Sequence, residues 1–342
     1  MPATVPCATV VVRSNVALEA EVLSARSRRG AARKPTPQEQ ALMRKRLEFV
    51  LVWTVVTLLG LPPRSIARRL GAFVGRLALL LTPRLRRTGH RNLALAFPDK
   101  TAAQREQVLS RLYRNLGWLL AEFCQMPRYT PARTQEFIRY EGLEHYLAAR
   151  DQGKGVLILT GHLGAWELSS FYHSLMGYSM SIVIRRLDNP LVDNLVNHIR
   201  CLHGNQVLHK DDFARGLLAS MRRGETVGIL MDTNMTPPQG AFVDFFGHPA
   251  CTALGLARVA MKTGASVLPG FLLWEEATRQ YVLRFGAPLA LVSTGDVEAD
   301  VVANTALFTR VIEDYIRQYP DQWLWVHRRW KTRPPGEAPI YT

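Results

Sequence analysis

Between residues 155 and 318, short apolar segments alternate with longer amphipathic ones, and this alternation limits the possible folds more than any other feature of the chain. The short segments have the length of buried strands, whereas the longer ones repeat apolar residues at helical spacing. Strands are predicted at 155–160, 180–184, 206–208, 226–231, 266–273 and 280–286. Helices are predicted at 164–176, 190–203, 211–223, 251–263 and 300–318. This pattern is typical of an α/β domain with a mostly parallel sheet flanked by helices.

The segment before this alternation also has a readable pattern. Asp99 or Thr101 can cap a helix over 102–126, whose apolar residues fall on one face. A strand-like stretch, "FIRYEGLEHY", follows, and then a helix to about residue 151. Neither an internal repeat nor a domain boundary is apparent between 100 and 330, so we expect one domain there.

Residues 44–98 combine apolar runs with arginines. The run "FVLVWTVVTLLGL" at 49–61 spans roughly 20 Å as a helix, short of the ~30 Å hydrocarbon core of a bilayer. No acidic residue occurs between Glu48 and Asp99, although eight arginines do. We therefore predict helices that anchor the chain to a membrane, either crossing it with their flanks or lying in the interface. A buried core helix is the alternative.

The overall charge points to an acidic partner. The chain of 342 residues carries 43 Lys and Arg against 28 Asp and Glu, a formal net charge of +15. Nucleic acid, anionic lipid headgroups and an acidic carrier protein all fit this charge. Residues 1–43 read as a basic, disordered tail, and the apolar stretch at 8–12 is too short for a signal peptide. Four separated cysteines without metal-ligand spacing indicate reduced thiols in a cytoplasmic protein.

A histidine and a glutamate stand where the strand at 155–160 ends, in "TGHLGAWELSS". In α/β sheets, ligands gather at the carboxyl ends of the strands. If His162 lies in the turn, Glu167 in the first turn of the next helix can reach back to its ring. Such a carboxylate fixes the imidazole tautomer and leaves the other ring nitrogen free as a general base. Gly161 and Gly164 allow a sharp turn and a close approach of the backbone to a ligand.

Three further polar residues are predicted at the same edge of the sheet. Arg185 and Asn189 follow the next apolar strand, and Asp232 ends another. We assign them, with Gly161 and Gly164, to substrate binding. Each also has an ordinary structural explanation: Arg185 as a solvated side chain, Asp232 as a turn cap. Arg328 and Arg329 either hold the domain on a membrane surface or contact substrate.

In this order the segments resemble the lysophospholipid-acyltransferase-like enzymes, and among them the bacterial lipid A late acyltransferases (lauroyl and myristoyl transferases). The resemblance covers about residues 45–336. It is carried by "NLALAFPDK", the H-x-x-x-x-E box at 162–167, "RRLDNP", "RRGETVGILMD", "GAFVDFFG" and "HRRWKTRP". It implies transfer of an acyl chain from an acyl-carrier-protein thioester to a hydroxyl of an anionic membrane glycolipid. His162 is then the base, Glu167 its orienting partner, and Arg185 a contact to phosphate or to the oxyanion.

The resemblance completes the set of expectations. We expect an anchoring segment at 44–98, an acyltransferase domain at 99–336 and a C-terminal tail at 337–342. No metal or organic cofactor is expected, and the protein is expected as a monomer on the cytoplasmic face of the inner membrane. After Asp232 the sequence "TNMTPPQG" departs from the family pattern, which leaves other acceptors open, such as phosphatidylinositol mannosides, lysophospholipids or aminolipids. A basic nucleic-acid-binding protein is the alternative from another class, although no nucleic-acid motif is present.

Overall fold

The computed structural model describes residues 36–209 and 213–341. The chain divides into two compact units, residues 1–47 and 48–342. Most of the predicted basic tail, residues 1–35, lies outside the described residues, as do the start of the predicted helix at 211–223 and the last residue of the predicted C-terminal tail.

The first four helices of the described residues precede the sheet. They are α1 (Pro37–Gly60), α2 (Arg64–Leu81), α3 (Pro83–Ala96) and α4 (Ala102–Gln125). Thr101 caps α4 as predicted, because its hydroxyl accepts from the N–H of Gln104 while the Gln104 side chain accepts from the N–H of Thr101. Among the described residues, no helix is both long enough and apolar enough to cross a membrane.

Carboxylates on α4 balance several of the arginines that we predicted at a membrane. Glu122 is fully buried and accepts from Arg64 at 2.6 Å and from Arg68 at 2.9 Å. Arg86 on α3 pairs with Glu106 at 2.8 Å. Residues 49–98 contain no acidic residue, but helix packing brings glutamates of α4 against these three arginines and so neutralises their charge.

Nine strands follow in the described residues, and helices separate most of them. They are β1 (Ile138–Glu141), β2 (Val156–Thr160), β3 (Ser181–Ile184), β4 (Gln206–His209), β5 (Thr226–Leu230), β6 (Gly240–Phe245), β7 (His248–Ala253), β8 (Ser266–Glu275) and β9 (Gln280–Phe285). The helices are α5 (Pro131–Gln135), α6 (Leu143–Asp151), α7 (Trp166–Leu175), α8 (Pro190–Arg200), α9 (Phe213–Arg222), α10 (Gly255–Thr263) and α11 (Val297–Gln318). Short 3₁₀ turns lie at Met126–Arg128 and Pro320–Gln322.

Seven strands form one sheet in the order β1-β9-β8-β2-β5-β3-β4. All neighbouring pairs are parallel except β8 and β9, whose short connection permits only a hairpin. Successive side chains of β2 enter different cores: Leu157 and Leu159 lie in one, Val156 and Ile158 in the other. Helices therefore cover both faces, and the predicted α/β fold with a mostly parallel sheet is confirmed.

The segment from 240 to 253 differs from the prediction. We expected a helix over 251–263, but residues 248–253 pair antiparallel with residues 240–245 in a separate two-stranded sheet, and α10 begins only at Gly255. The strand buries Ala250, Cys251 and Thr252 almost completely. The small residues of this segment show no alternation of apolar and polar side chains, so the sequence did not predict the hairpin.

Candidate active site

Two neighbouring strands bring His162 and Asp232 together. In the β2–β5 register Thr160 lies opposite Leu230, so the residues that follow leave the same edge of the sheet side by side. Asp232 Oδ1 accepts from His162 Nδ1 at 2.9 Å, and its Oδ2 accepts from the backbone N–H of His162 at 2.7 Å. The indole N–H of Trp323 also donates to Oδ2, at 2.7 Å. Three hydrogen bonds thus fix one carboxylate against the histidine.

These contacts shift the ionisation of both groups. Burial alone raises the pKa of Asp232, but the charge and hydrogen bonds of His162, together with the Trp323 bond, lower it to about 2. Burial lowers the pKa of His162, yet the Asp232 charge and hydrogen bond outweigh it, so the net pKa of His162 is raised. Glu167 adds a smaller electrostatic contribution in the same direction. The site therefore stabilises a proton on His162.

The other ring nitrogen of His162 faces open space. Within the described chain, Nε2 forms no hydrogen bond, and the side chain is 26% exposed. The ring of Trp166 lies edge-on to the imidazole with its centroid 5.3 Å away. Because the Asp232 carboxylate accepts a hydrogen bond from Nδ1–H, the proton of the neutral ring stays on Nδ1 and Nε2 carries the lone pair, as a general base requires.

The Glu167 carboxylate forms its hydrogen bonds with Arg200, not with His162, so its predicted orienting role stays a prediction. Its carboxylate accepts from Arg200 at both oxygens, from Nε at 2.8 Å and from the terminal nitrogen at 2.5 Å. The reason is geometric. Glu167 lies in the first turn of α7, and its side chain points towards Arg200 in the last turn of α8. Asp232 instead follows β5, the strand next to the one that precedes His162. Asp232 is the carboxylate that is hydrogen-bonded to the His162 ring, and Arg200 is a partner of Glu167 that the sequence did not predict.

The two glycines approach protein groups. A Cβ at Gly161 would lie 3.0 Å from Cγ of Asp232, and one at Gly164, whose φ is +68°, would lie 2.1 Å from the carbonyl oxygen of Leu272. The N–H groups of Gly164 and Ala165 donate to the carbonyls of Gln322 and Leu272. The glycines thus permit the turn and the contact with Asp232, and these two N–H groups are already bonded.

Arg185 and Asn189 occupy different surroundings. The side chain of Arg185 is 80% exposed and pairs with Asp188 at 3.2 Å. Asn189 is buried, caps α8 by accepting from the N–H of Leu191, and donates to Glu48 at 3.1 Å. Neither is joined to His162 or Asp232 by a hydrogen bond or ion pair, so their role towards substrate stays a prediction.

The C-terminal segment contributes residues that we did not predict. Leu324 donates its N–H to the carbonyl of His162 at 3.1 Å, which places Trp323 against Asp232. His327 Nε2 accepts from the N–H of Asn234 at 3.0 Å, and burial lowers the pKa of His327, so it is neutral. The aromatic "WLWVHRRW" segment was a signal for this packing, but its partner could not be read from sequence.

Arg329 is buried in the same segment. It donates to the carbonyl of Cys251 at 2.8 Å and to that of Thr233 at 3.3 Å, and it also bonds the hydroxyl of Thr252. With no exposed surface, it neither holds a membrane nor meets a substrate, contrary to both interpretations that we considered. Arg328 beside it is exposed.

An apolar cavity adjoins Asp232. It has a volume of about 640 Å³, and its walls include the residues on either side of the carboxylate, Met231 and Thr233. Val183, Met235, Ala253 and Leu254 line it further. Residues 253–256 are all in this lining. Across residues 36–209 and 213–341, no three His, Cys, Asp or Glu side chains are grouped as metal ligands.

Comparison with known proteins identifies the family. Residues 35–332 match the model of the bacterial lipid A biosynthesis acyltransferases. The chain is 28% identical over 292 residues to the lipid A biosynthesis lauroyltransferase of Escherichia coli, covering 85% of this chain and 92% of that protein. It is 26% identical over 283 residues to the lipid A biosynthesis myristoyltransferase of E. coli, covering 82% and 85%.

A third relative gives the same result. A lipid A biosynthesis acyltransferase of Haemophilus influenzae is 29% identical over 298 residues, which cover 85% of this chain and 91% of the relative. The family model spans most of the chain and includes His162, Glu167 and Asp232. The protein is an acyltransferase and belongs to the bacterial lipid A biosynthesis acyltransferase family.

Proposed function

We propose that the protein transfers a fatty acyl chain from an acyl-carrier-protein thioester to a hydroxyl of a lipid A precursor or a similar glycolipid. The observation that carries the proposal is the His162–Asp232 pair, whose free Nε2 lies at the sheet edge. The names of the relatives support the lipid class of the acceptor. A thioester already holds a good leaving group, so a base and a stabilised oxyanion suffice without a protein nucleophile.

The reaction proceeds in two proton transfers. Nε2 of His162 takes the proton of the acceptor hydroxyl while its oxygen attacks the thioester carbonyl and forms a tetrahedral oxyanion. The intermediate collapses, the C–S bond breaks, and the imidazolium returns the proton to the departing thiolate. An oxygen ester and a free thiol result. Asp232 stabilises the imidazolium between the two steps, as its effect on the pKa of His162 implies.

Glu167 serves the same site from further away. Arg200 holds its carboxylate in place, and the negative charge favours the protonated His162 electrostatically. The amino-terminal end of α7 carries a partial positive charge, which suits the developing oxyanion. Glu167 therefore acts on His162 electrostatically in this proposal.

The acyl chain occupies the apolar cavity next to Asp232. We place the mouth of the cavity beside His162, because Met231 and Thr233 in its lining flank Asp232, which is hydrogen-bonded to His162. An alkyl chain in the cavity is removed from contact with water, and this burial contributes about 0.8 kcal/mol of binding free energy per methylene. The end of the cavity sets the preferred chain length.

The acceptor is reached from the membrane. Between residues 48 and 341, thirteen of the seventeen large apolar side chains that are exposed fall within 50–85, on α1, α2 and the start of α3. Such a concentration marks an interaction surface. We place it in the cytoplasmic leaflet of the inner membrane as an interfacial anchor, with the protein as a monomer. The net charge of +15 favours encounter with an acidic carrier protein and makes it salt-sensitive.

Two measurements test this function. Mass spectrometry of total lipids, from cells with and without the gene, identifies the acceptor: loss of one acyl group from a lipid A species is the expected result. The donor is then tested with purified protein and acyl carrier protein that bears a labelled acyl chain, by measuring transfer of the label. His162→Ala is the inactive variant, and His145→Gln is a folded control. An unchanged lipid profile, or transfer by His162→Ala at the wild-type rate, contradicts the proposal.

A further inference from the structure

One face of α3 carries three arginines that form no ion pair with any described residue. Arg84, Arg87 and Arg91 recur at helical spacing and, with Thr88, Arg328 and Tyr341, line a cavity of about 440 Å³. In the part of the chain that the structure describes, none of these four guanidinium groups forms an ion pair. Arg86 on the same helix does, with Glu106 at 2.8 Å. On α3, the arginines without an ion pair to a described residue are thus the ones that face the cavity.

Four cations around one opening repel each other unless an anion joins them. The repulsion is relieved by a ligand that carries negative charge and several acceptor oxygens. A phosphate group has both, and the planar guanidinium fork binds its oxygens in pairs. The other two lining side chains are hydroxyl-bearing, which keeps the cavity polar.

An exposed apolar surface adjoins the cavity. Leu85 follows Arg84 directly and is 44% exposed, and Leu80 and Leu81 at the end of α2 are about 70% exposed. A free anion satisfies the arginines only, whereas a molecule with a charged headgroup and acyl chains satisfies both surfaces. We propose that this cavity binds the phosphate of an anionic membrane lipid; the proposal rests on the proposed function only in taking a lipid as the source of the phosphate.

The cavity is fixed to the catalytic segment. Asn92 on α3 donates to the carbonyls of Trp325 at 2.6 Å and His327 at 2.7 Å, and Tyr341 donates to Asn92 at 2.7 Å. Arg328 in the cavity wall is five positions after Trp323, which contacts Asp232. Since five extended residues span at most about 18 Å, a bound phosphate lies near the acceptor site. The acceptor itself and a neighbouring phospholipid are both available sources.

Vesicle flotation tests the site without catalysis. Full-length protein carrying His162→Ala is mixed with phosphatidylcholine vesicles that contain phosphatidic acid, or oleate at equal surface charge, or neither. We expect binding to phosphatidic acid vesicles to exceed binding to the other two. The double variant Arg84→Gln/Arg91→Gln should lose that preference by about 10- to 30-fold, from about 1 kcal/mol per arginine near an anionic surface. The control variant Arg86→Gln/Arg223→Gln removes two arginines that pair with Glu106 and Glu225, so it loses the same charge and should retain the preference.

The remaining outcomes decide the source. Equal binding to oleate vesicles overturns a phosphate site. Binding of inorganic phosphate that Arg84→Gln/Arg91→Gln abolishes, without any preference for phosphatidic acid, overturns the lipid as ligand. Loss of carrier-protein binding in that variant, with vesicle binding intact, also overturns the proposal. With the catalytically competent protein, a higher KM for the acceptor in the double variant assigns the phosphate to the acceptor, and an unchanged KM assigns it to a neighbouring lipid. Failure of acyl transfer itself leaves the flotation result unaffected.

Discussion

Asp232 accepts two hydrogen bonds from His162: one carboxylate oxygen accepts from the ring Nδ1, and the other accepts from the backbone N–H. The two residues are 70 positions apart and meet only because β2 and β5 are adjacent and in register. The backbone bond fixes the position of the residue, and the ring bond fixes its tautomer. Trp323 in turn fixes the carboxylate. From this arrangement we expect the reactivity of His162 to depend on Asp232.

Asp232→Asn should therefore remove most of the activity while the protein remains folded. The neutral amide can donate to Nδ1 and so place the ring proton on Nε2, where the base should be. We expect kcat to fall by about 10²- to 10⁴-fold with a smaller change in KM. Steady-state transfer of a labelled acyl chain measures the loss, and circular dichroism checks the fold. Wild-type kcat in this variant contradicts the orienting role.

The pH dependence of the reaction has a defined sign. The base acts in its neutral form, and the pKa of His162 is raised above its ordinary value of 6.5. Activity should therefore fall as the pH drops through that raised pKa. Glu167→Gln removes a smaller electrostatic contribution, so it should move the acid limb of kcat/KM to lower pH. Arg200→Gln removes the positive charge that faces the Glu167 carboxylate, and should not move the limb to lower pH. An acid limb that is identical in wild type and Glu167→Gln argues against the electrostatic role.

Stability at low pH follows from the same pair. The pKa of Asp232 is lowered from 3.8 to about 2, so the folded state is stabilised above pH 3.8 and loses this contribution as the pH falls towards 2. His162 works in the opposite sense: its raised pKa stabilises the folded protein below pH 6.5 and is lost at higher pH. Urea unfolding from pH 2.5 to 5 should show a steeper fall in wild type than in Asp232→Asn. Parallel curves would mean that Asp232 has an ordinary pKa.

Much of the site was predictable because strand ends are local features. His162 and Asp232 each follow an apolar run, and the carboxyl-edge rule for parallel sheets places both at one edge. The order of the strands is not local, so the sequence favoured Glu167, five residues away, over Asp232 as the partner of His162. Arg200 and Trp323 were missed for the same reason, since their positions depend on how α8 and the C-terminal segment pack.

The hairpin at 240–253 and the charge balance of the early helices show a second limit. Small residues such as Ala250 and Thr252 carry no periodic signal, and a carboxylate on α4 can neutralise an arginine on α2 through packing alone. Strand and helix positions elsewhere agree with the prediction within a few residues, because long apolar periodicity is enforced by burial on both faces of the sheet.

The apolar cavity should determine the length of the transferred chain. Ala253 and Met235 are partly exposed and line it, so Ala253→Trp or Met235→Trp should shorten the available space. We expect the preferred donor to shift to shorter acyl chains, with kcat/KM for the longest accepted chain reduced about 10-fold or more. Val302→Trp places the same side chain on the exposed surface of α11 and should leave the preference unchanged. An unaltered chain-length profile in both cavity variants would place the acyl chain elsewhere.

Arg329 should contribute to stability rather than to catalysis. Burial lowers its pKa to about 10, and its guanidinium satisfies two carbonyls and a hydroxyl around the β7 segment. Arg329→Met fills much of the volume but leaves those acceptors without donors, so we expect a loss of about 2–4 kcal/mol in the free energy of unfolding. Arg328→Met, at the exposed neighbouring position, should change it by less than about 0.5 kcal/mol. Equal unfolding midpoints for the two variants would show that the buried hydrogen bonds of Arg329 add nothing to the stability of the fold.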